Sequence, residues 1–343
     1  MSAPTRKTIG GFEIEKTLGE GGMGVVHLAT QQDLDRPVVI KALRRELADD
    51  ASAEERFLRE AQAAASVHHQ NVVAVYDCFA WRGDRYITQE YVEGANLVVV
   101  AVPSAAFGGV VASLPGRAPI LSLTKGLDPA SGDRLSTLVR DRPIAVLSGP
   151  NIADEIARGL PAAAVIACES LPLAVQLQLA ITSSAFRVYV NDDVLGVELC
   201  AAAKNVIALA AGGADGLGLG DNAKAALVAR GLAEMGRLAE VAGARPETFA
   251  GLAGMGDLIV TCWSPSGRNR RCGELVAQGA TPEEAARSIG MVVEGLTTAP
   301  VLRDLAHRLD VEMPITEGVC AVLDGIPLTE LVARLMERHP TVE

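Results

Sequence analysis

The pattern of apolar residues in this 343-residue chain changes at about residue 97, and that change limits what the chain can fold into. Before it, short β-branched runs are joined by polar turns, which is typical of antiparallel hairpins. After it, short apolar runs alternate with amphipathic stretches, which is typical of strands and helices around a parallel sheet. No linker separates the two patterns, and the strand pattern ends near residue 191. We therefore predict three domains, at 1–96, 97–191 and 192–343.

Composition and charge indicate a soluble, cytoplasmic protein. Hydrophobic residues make up 49% of the chain and charged residues 21%, and the net charge of -11 argues against nucleic acid or an anionic membrane as partner. The six cysteines are scattered without a C-x-x-C pair, which fits a reducing compartment and predicts no metal site. The first ten residues lack a signal-peptide core, and Pro103 interrupts the most apolar run, so we expect no membrane insertion.

A glycine-rich loop has the spacing G-x-G-x-x-G, with Gly19, Gly21 and Gly24 at its fixed positions. The spacing alone is a weak signal, because two kinds of nucleotide-binding loop share it. A dinucleotide-binding loop would lead from a strand into a helix. Here a β-branched run at 25–29 follows instead, and a polar turn and a second run ending at Lys41 come next. The context therefore predicts a hairpin and excludes a dinucleotide-binding loop.

Three ordered motifs connect this hairpin to a known fold. Val26 takes the covering-loop position, Lys41 ends a V-A-I-K-like strand, and Glu60 lies in a helix-like stretch where it would form an ion pair with Lys41. An ordinary exposed pair is the alternative. Residues 12–94 resemble the small lobe of bacterial serine/threonine protein kinases, an antiparallel sheet with one helix. The resemblance implies an ATP site formed by Gly19, Gly21, Gly24, Val26, Lys41 and Glu60.

Kinase activity is not expected from this segment. Phosphoryl transfer needs a catalytic-loop Asp, a metal-binding Asn and a D-F-G Asp from the large lobe. None of these motifs follows residue 94, and the sequence His307-Arg308-Leu309-Asp310 is out of order with no D-F-G after it.

The carboxyl ends of three predicted strands carry residues suited to ligand binding. In parallel sheets, ligands sit beyond these ends, where this chain has 103–104, 124–126 and 148–151. Plain turns would explain the glycines of these loops but not Lys125, so we predict a crevice along this edge. The predicted strands are 97–102, 119–124, 144–147, 162–167 and 186–190, and helices are predicted at 133–140 and 151–158.

A lysine interrupts a helix that is apolar nearly all round. The predicted helix at 195–209 contains Lys204 between small and aliphatic neighbours. A buried ammonium is costly, and desolvation lowers its pKa toward neutrality, as a proton donor to a carbonyl oxygen requires. The alternative is a side chain that reaches the surface. The apolar residues on both sides favour a functional lysine.

Two polar loops follow. One places Asp257 on a tight glycine turn, followed by Thr261, and the other concentrates three arginines at 266–271 in an acidic chain. Arginine forks match phosphate oxygens, and a nearby helix start would add to the attraction. A solvated basic loop is the alternative.

Together these segments resemble the bacterial NAD(P)-dependent glycerol-3-phosphate dehydrogenases, from about Leu97 to the end. The fold implied is the back half of a Rossmann-type parallel sheet followed by an all-helical domain. The matching motifs are Val102-Pro103-Ser104, Leu123-Thr124-Lys125-Gly126, Leu147-Ser148-Gly149-Pro150, Lys204-Asn205-Val206-Ile207-Ala208, Asp221-Asn222-Ala223-Lys224, Gly256-Asp257-Leu258, Arg268-Asn269-Arg270-Arg271, Val292-Val293-Glu294-Gly295 and Met313-Pro314-Ile315-Thr316-Glu317.

The resemblance implies a role for each matching residue. Lys204 would be the catalytic acid/base, and Asp257 would position it. Position 267 is Gly where the family usually has Ser, which puts one substrate hydrogen bond in doubt. The triose phosphate would be held by Lys125, Gly149, Asn151, Lys204, Asp257, Arg268 and Asn269, and the NAD or NADP by Lys125, Ala153, Arg268, Val292 and Glu294.

The implied reaction is reversible hydride transfer between the nicotinamide and dihydroxyacetone phosphate, giving sn-glycerol 3-phosphate for phospholipid synthesis. A homodimer is a possible assembly for such an enzyme. The family, however, begins with a strand, a glycine fingerprint and a helix that hold the pyrophosphate of the cofactor, and here a kinase-like segment stands there instead. We expect a dehydrogenase with impaired or absent activity. The alternatives are an ATP-binding regulatory module and a fusion product without function.

Overall fold

A computed structural model describes residues 7–20, 24–43, 57–58, 75–90, 97–114 and 116–336. The chain divides into two units, Met1–Ala95 and Asn96–Glu343. Each unit has a hydrophobic core of its own, built from side chains of its own strands and helices.

An antiparallel sheet makes up the described part of the first unit. Along β4, Val38 and Ile40 are buried and alternate with less buried residues, which is the period of a strand with one face covered. The predicted hairpin is confirmed, since β2, β3 and β4 pair antiparallel in sequence order. The sheet order is β1-β2-β3-β4-β6-β5. The strands are β1 (Thr8–Ile9), β2 (Phe12–Glu20), β3 (Gly24–Gln31), β4 (Arg36–Leu43), β5 (Val75–Trp81) and β6 (Asp84–Glu90).

The second unit begins with a five-stranded sheet in the order β11-β10-β9-β8-β7. Strands β7, β8 and β9 run parallel, and so do β10 and β11. The predicted strands are all present, within about two residues of the predicted ends. They are β7 (Val98–Val100), β8 (Ile120–Ser122), β9 (Ile144–Ser148), β10 (Ala162–Ala167) and β11 (Phe186–Asn191), and the helices around them are α1 (Ser104–Ser113), α2 (Ala153–Ala157) and α3 (Leu171–Ile181).

One strand pair departs from the expected parallel arrangement, because β9 and β10 pair antiparallel. A parallel connection must carry the chain back along the whole strand, usually through a helix. Helix α2 has five residues and spans only about 7.5 Å, whereas a five-residue strand such as β9 spans about 16 Å. The chain therefore returns as a strand in the opposite direction.

The helix predicted at 133–140 is also shorter than expected. The structure has a 3-10 turn there, Leu135–Leu138. The N–H of Ser136, near the start of this turn, donates to the Glu198 carboxylate at 2.8 Å.

After β11 the second unit is entirely helical, as predicted. Helix α4 lies at its centre and is long and apolar enough to cross a membrane, but 89% of its most apolar window is buried inside the unit, as in the core helix of a globular domain. The helices are α4 (Val194–Gly216), α5 (Gly220–Ala242), α6 (Pro246–Ala250), α7 (Asp257–Trp263), α8 (Arg268–Ala277), α9 (Pro282–Ile289), α10 (Glu294–Arg308), α11 (Pro314–Leu323) and α12 (Leu328–Met336).

Helices α4 and α8 cross so closely that only glycine fits at the crossing. A Cβ on Gly212 would lie 1.8 Å from the carbonyl oxygen of Arg270, and one on Gly273 would lie 1.9 Å from that of Leu209. This crossing fixes the first turn of α8, which carries Arg268 and Asn269, against the helix that carries Lys204.

Candidate active site

Three loops at one edge of the second sheet face the helices. Because β7, β8 and β9 are parallel, the loops that follow them lie at the same edge. Each loop hydrogen bonds to a residue of the helical part: Ser104 to Glu294, and both Lys125 and Gly149 to Asp257. The helices therefore contact the edge at which the crevice is predicted, and the crevice itself stays a prediction.

Lys204 is buried beside Asp257 and Thr261. It is 5% exposed, and its Nζ donates to Asp257 Oδ1 at 2.5 Å and to Thr261 Oγ1 at 3.0 Å. The alternative of a side chain that reaches the surface is wrong, because Lys204 and its neighbours on both sides in α4 are buried. The role of Lys204 in catalysis stays a prediction.

The Asp257 carboxylate accepts hydrogen bonds from both lysines of the site. Its carboxylate is 2% exposed, and Oδ2 accepts from Lys125 Nζ at 2.8 Å. The same oxygen accepts from the Gly149 N–H and the Ser148 hydroxyl at 3.3 Å each. A five-residue π-helical turn, Leu252–Gly256, precedes Asp257 and brings it to the start of α7 with this orientation.

The electrostatics of the pair follow from burial and from neighbouring charge. Burial lowers the pKa of Lys204 to about 7, and the Lys125 ammonium acts in the same direction while Asp257 opposes it. Burial alone would raise the pKa of Asp257, but Lys125 and Lys204 outweigh it and hold that pKa below its ordinary value. The site thus contains a stable carboxylate and an amine that changes protonation state near neutral pH.

Lys125 connects the sheet edge to this pair. Its Nζ also donates to Asn151 Oδ1 at 3.1 Å and to the Gly149 carbonyl at 3.4 Å. Gly149 is buried with φ +123°, and a Cβ there would lie 3.0 Å from Ala164 Cα, so glycine is required. The structure therefore brings together Lys125, Gly149, Asn151, Lys204 and Asp257.

The predicted phosphate-binding residues lie at the start of α8. Arg268 is exposed, and among the described residues no hydrogen-bond acceptor holds its guanidinium. Asn269 is buried; it donates to Asn205 Oδ1 and accepts from the Gly295 N–H, both at 2.9 Å. Its amide thus joins α4, α8 and α10, which the sequence did not predict. Arg270 pairs with Asp215 and Glu274, so it is engaged away from Arg268.

The predicted cofactor-side residues are more dispersed. Glu294, the first residue of α10, accepts from the Ser104 N–H at 3.1 Å and from its hydroxyl at 2.6 Å. It thereby caps the start of α1, whose own cap position, Pro103, supplies no side-chain hydrogen bond. Val292 and Ala153 are exposed. Their contacts with a nicotinamide remain a prediction.

Two polar residues were missing from the predicted site. Thr261 accepts from Lys204 and donates to the Asp257 carbonyl at 2.6 Å. The available signal was spacing, because Asp257 and Thr261 are four residues apart in one helix and so share a face. The other residue is Glu198, a buried carboxylate in the same apolar helix as Lys204.

The kinase-like segment places some of its predicted nucleotide-binding residues together. Val26 on β3 lies directly opposite Lys41 on β4, so both side chains are on one face of the sheet. Gly19 belongs to β2 and Gly24 opens β3. Gly21 and Glu60 lie outside the described residues, so the predicted pair between Glu60 and Lys41 stays a prediction.

Family models match both parts of the chain. The model described as NAD-dependent glycerol-3-phosphate dehydrogenase N-terminus matches residues 86–174, and the corresponding C-terminus model matches 193–333. The protein kinase domain model matches residues 12–109. The first two matches include Lys125, Lys204 and Asp257.

Individual relatives agree with these matches. A glycerol-3-phosphate dehydrogenase [NAD(P)+] of Halorhodospira halophila is 46% identical over 260 residues, with 73% of this chain and 78% of the relative covered. That of Legionella pneumophila (strain Lens) is 47% identical over 256 residues, with the same coverage. The crystal structure of glycerol-3-phosphate dehydrogenase from Coxiella burnetii superimposes with a TM-score of 0.69 at 40% identity and covers 72% of this chain and 78% of that one.

Proposed function

This chain belongs to the NAD-dependent glycerol-3-phosphate dehydrogenase family, and we propose that it is an oxidoreductase for dihydroxyacetone phosphate and sn-glycerol 3-phosphate. The observation that carries the proposal is that the buried Asp257 carboxylate forms ion pairs with both Lys204 and Lys125. A structural ion pair would need one cation for one carboxylate. When Lys204 is protonated, two ammoniums on one carboxylate leave a net positive charge, which suits a phosphorylated substrate.

Lys204 supplies the proton of the reaction. Reduction of the ketone needs a hydride on the central carbon, which a bound nicotinamide would supply, and a proton on its oxygen. With a pKa of about 7, Lys204 is present as both ammonium and amine near neutral pH. The ammonium gives its proton to the oxygen during reduction, and the amine takes it back during oxidation. Asp257 and Thr261 hold the nitrogen in place for both directions.

The phosphate of the substrate binds at the start of α8. Arg268 offers an exposed guanidinium there, and the first N–H groups of a ten-residue helix add a partial positive charge. Asn269 is held by Asn205 and Gly295, and its second amide hydrogen is available to the ligand. Lys125, Gly149 and Asn151 line the opposite side of the substrate.

The cofactor fits this chain at one end only. The nicotinamide end would be held by Lys125, Glu294 and Val292. The pyrophosphate end has no strand-to-helix glycine loop among the described residues, because the glycine-rich segment lies between two antiparallel strands. Losing two charge-assisted contacts of about 1.5–3 kcal/mol each weakens binding about 10²–10⁴-fold. We infer that the chain binds substrate but turns it over poorly.

A spectrophotometric assay of NADPH oxidation with dihydroxyacetone phosphate tests this function, with the intact relative from Halorhodospira halophila measured beside it. We expect slow turnover by the chain, at least about 10²-fold below the relative, and none by Lys204→Met. Calorimetry with dihydroxyacetone phosphate alone tests the substrate site separately. Turnover equal to that of the relative would contradict the impaired activity, and the absence of both binding and turnover would contradict the function.

We also propose a second, independent binding site for ATP on the kinase-like segment, supported by the placement of Val26 opposite Lys41. A Lys at this position pairs with the α- and β-phosphates of ATP in kinases. Titration of the full chain with a fluorescent ATP analogue, with Lys41→Met as the comparison, tests the proposal. Equal binding by both proteins would exclude a site at Lys41.

We further propose a cytoplasmic location, because all six cysteines are free. Unpaired thiols persist in reducing compartments.

A further inference from the structure

Helix α4 carries a buried acid, Glu198, which accepts hydrogen bonds from a single loop. Glu198 is 4% exposed. Its Oε1 accepts from the Ser136 N–H at 2.8 Å, and its Oε2 accepts from the Ser136 hydroxyl at 2.5 Å and from Arg134 at 3.2 Å. All three donors belong to the connection between β8 and β9. Burial raises the pKa of Glu198, and the donors from Ser136 and Arg134 oppose that rise.

The same connection carries Lys125. Two residues after Lys125, the backbone of Leu127 pairs with that of Arg134 in an antiparallel bridge. Leu127 itself is 1% exposed and packs in the core of the helical part. The loop between the bridged residues is closed by a hydrogen bond from the Asp128 N–H to the Asp133 carbonyl at 2.9 Å. The segment from Lys125 to Ser136 is therefore one folded unit with its far end attached to Glu198.

Helix α4 consequently holds both lysines of the site. It carries Lys204 directly, and through Glu198 it holds the loop that presents Lys125. Both ammoniums meet at the two oxygens of Asp257. If Glu198 is removed, the donors of Ser136 and Arg134 lose their acceptor, and the loop keeps only the packing of Leu127 as its attachment to the helical part. Lys125 is then held less firmly against Asp257.

We propose that Glu198 is a positioning residue, which sets the place of Lys125 relative to Asp257 and Lys204. The proposal rests on the proposed function for the role of these lysines in the reaction. A purely structural Glu198 would stabilise the fold without affecting the charge balance around Lys204.

The pKa of Lys204 distinguishes these two roles. Asp257 and Lys125 are the charged groups that act on it, and Lys125 lowers it. Displacement of Lys125 in Glu198→Ala therefore raises the pKa of Lys204, by about 0.5–1 unit. Water entering the space left by the Glu198 side chain would also raise the Lys204 pKa, because burial lowers it, so Ser136→Ala, which leaves Glu198 in place, provides the comparison. Ser136→Ala changes no charge, and we expect it to raise the pKa of Lys204 by a smaller amount.

The experiment is NMR titration of the lysine side-chain nitrogens in the full-length chain, which has only six lysines. Wild type, Glu198→Ala and Ser136→Ala are compared. The matched control is Glu234→Ala, because Glu234 is 2% exposed and accepts from Ile315 and Thr316 at the start of α11 but does not contact the loop. This control is expected to lower stability and to leave the Lys204 pKa unchanged.

Affinity for dihydroxyacetone phosphate provides a second measurement, and we expect it to fall about 3- to 10-fold in Glu198→Ala. An unchanged Lys204 pKa in a folded Glu198→Ala protein would overturn the proposal. If that variant does not fold, an unchanged pKa in Ser136→Ala would overturn it equally. Because the titration needs no substrate, it decides the role of Glu198 even if the wild-type chain shows no binding or turnover, an outcome that would contradict only the proposed function.

Discussion

At the scale of single residues, the site was predictable where a residue type conflicts with its surroundings. Lys204 is a charged residue in an apolar helix, and Asp257 is a carboxylate on a glycine-rich turn. Each conflict is visible in the sequence, and the structure joins the two side chains at 2.5 Å. The contacts of Asn269 with Asn205 and Gly295 have no such signal, because they connect residues that only the packing of three helices brings together.

The lowered pKa of Lys204 predicts how stability depends on pH. Lys204 has a pKa of about 7 in the folded chain and an ordinary value of 10.5 when unfolded. Between these values the unfolded chain binds more protons, so stability rises with pH, by up to about 1.4 kcal/mol per unit. The contribution of Asp257 is constant in this window, because its lowered pKa lies far below it.

Urea unfolding of wild type and Lys204→Met at pH 7.0 and 8.5 measures this effect. This range stays below the ordinary thiol value of 9.0, so the buried cysteines contribute little. We expect the wild type to gain about 1–2 kcal/mol relative to the variant across the range. Equal gains in both proteins would show that Lys204 does not titrate there.

At the scale of elements, the sequence predicts strands and helices well but the connections between them poorly. The strands β7 to β11 and the buried helix α4 follow from apolar runs whose length and period are local properties. The direction of β10 does not, because it depends on how far α2 can carry the chain. The contact of the turn Leu135–Leu138 with Glu198 does not either, because Glu198 lies 62 residues from Ser136 in the sequence.

The crossing of α4 and α8 predicts a large difference between two glycine substitutions. Gly273→Ala places a Cβ 1.9 Å from the Leu209 carbonyl oxygen, so the helices must separate. We expect a loss of about 1–3 kcal/mol or more, together with weaker substrate binding because Arg268 moves with α8. The measurements are the thermal unfolding midpoint and the affinity for dihydroxyacetone phosphate.

Gly236→Ala is the matched control. Gly236 also lies within a helix, α5, but an added Cβ there meets nothing within 4 Å. Alanine has the higher helix propensity, so this variant is expected to gain about 0.5–1 kcal/mol. If both variants changed stability equally, the close approach of the two helices would not explain the first result.

At the scale of the whole molecule, the chain combines an antiparallel unit matched by the protein kinase model with a dehydrogenase body. The change of apolar pattern at about residue 97 was enough to reveal both parts. The dehydrogenase models match residues 86–174 and 193–333, whereas the kinase model matches 12–109, so the two kinds of match overlap at 86–109. On the proposed function, we expect cofactor binding, and not Lys204, to limit the activity of this chain.

The position of β7 has a consequence for handling the protein. Among the described residues, β7 is hydrogen bonded only to β8, and Val99 in its middle is 53% exposed. An edge strand of this kind can form hydrogen bonds with strands of neighbouring molecules. Concentrated preparations should therefore favour aggregates that begin at Val98–Val100 while each molecule is still folded, and light scattering would detect them before any loss of helical circular dichroism.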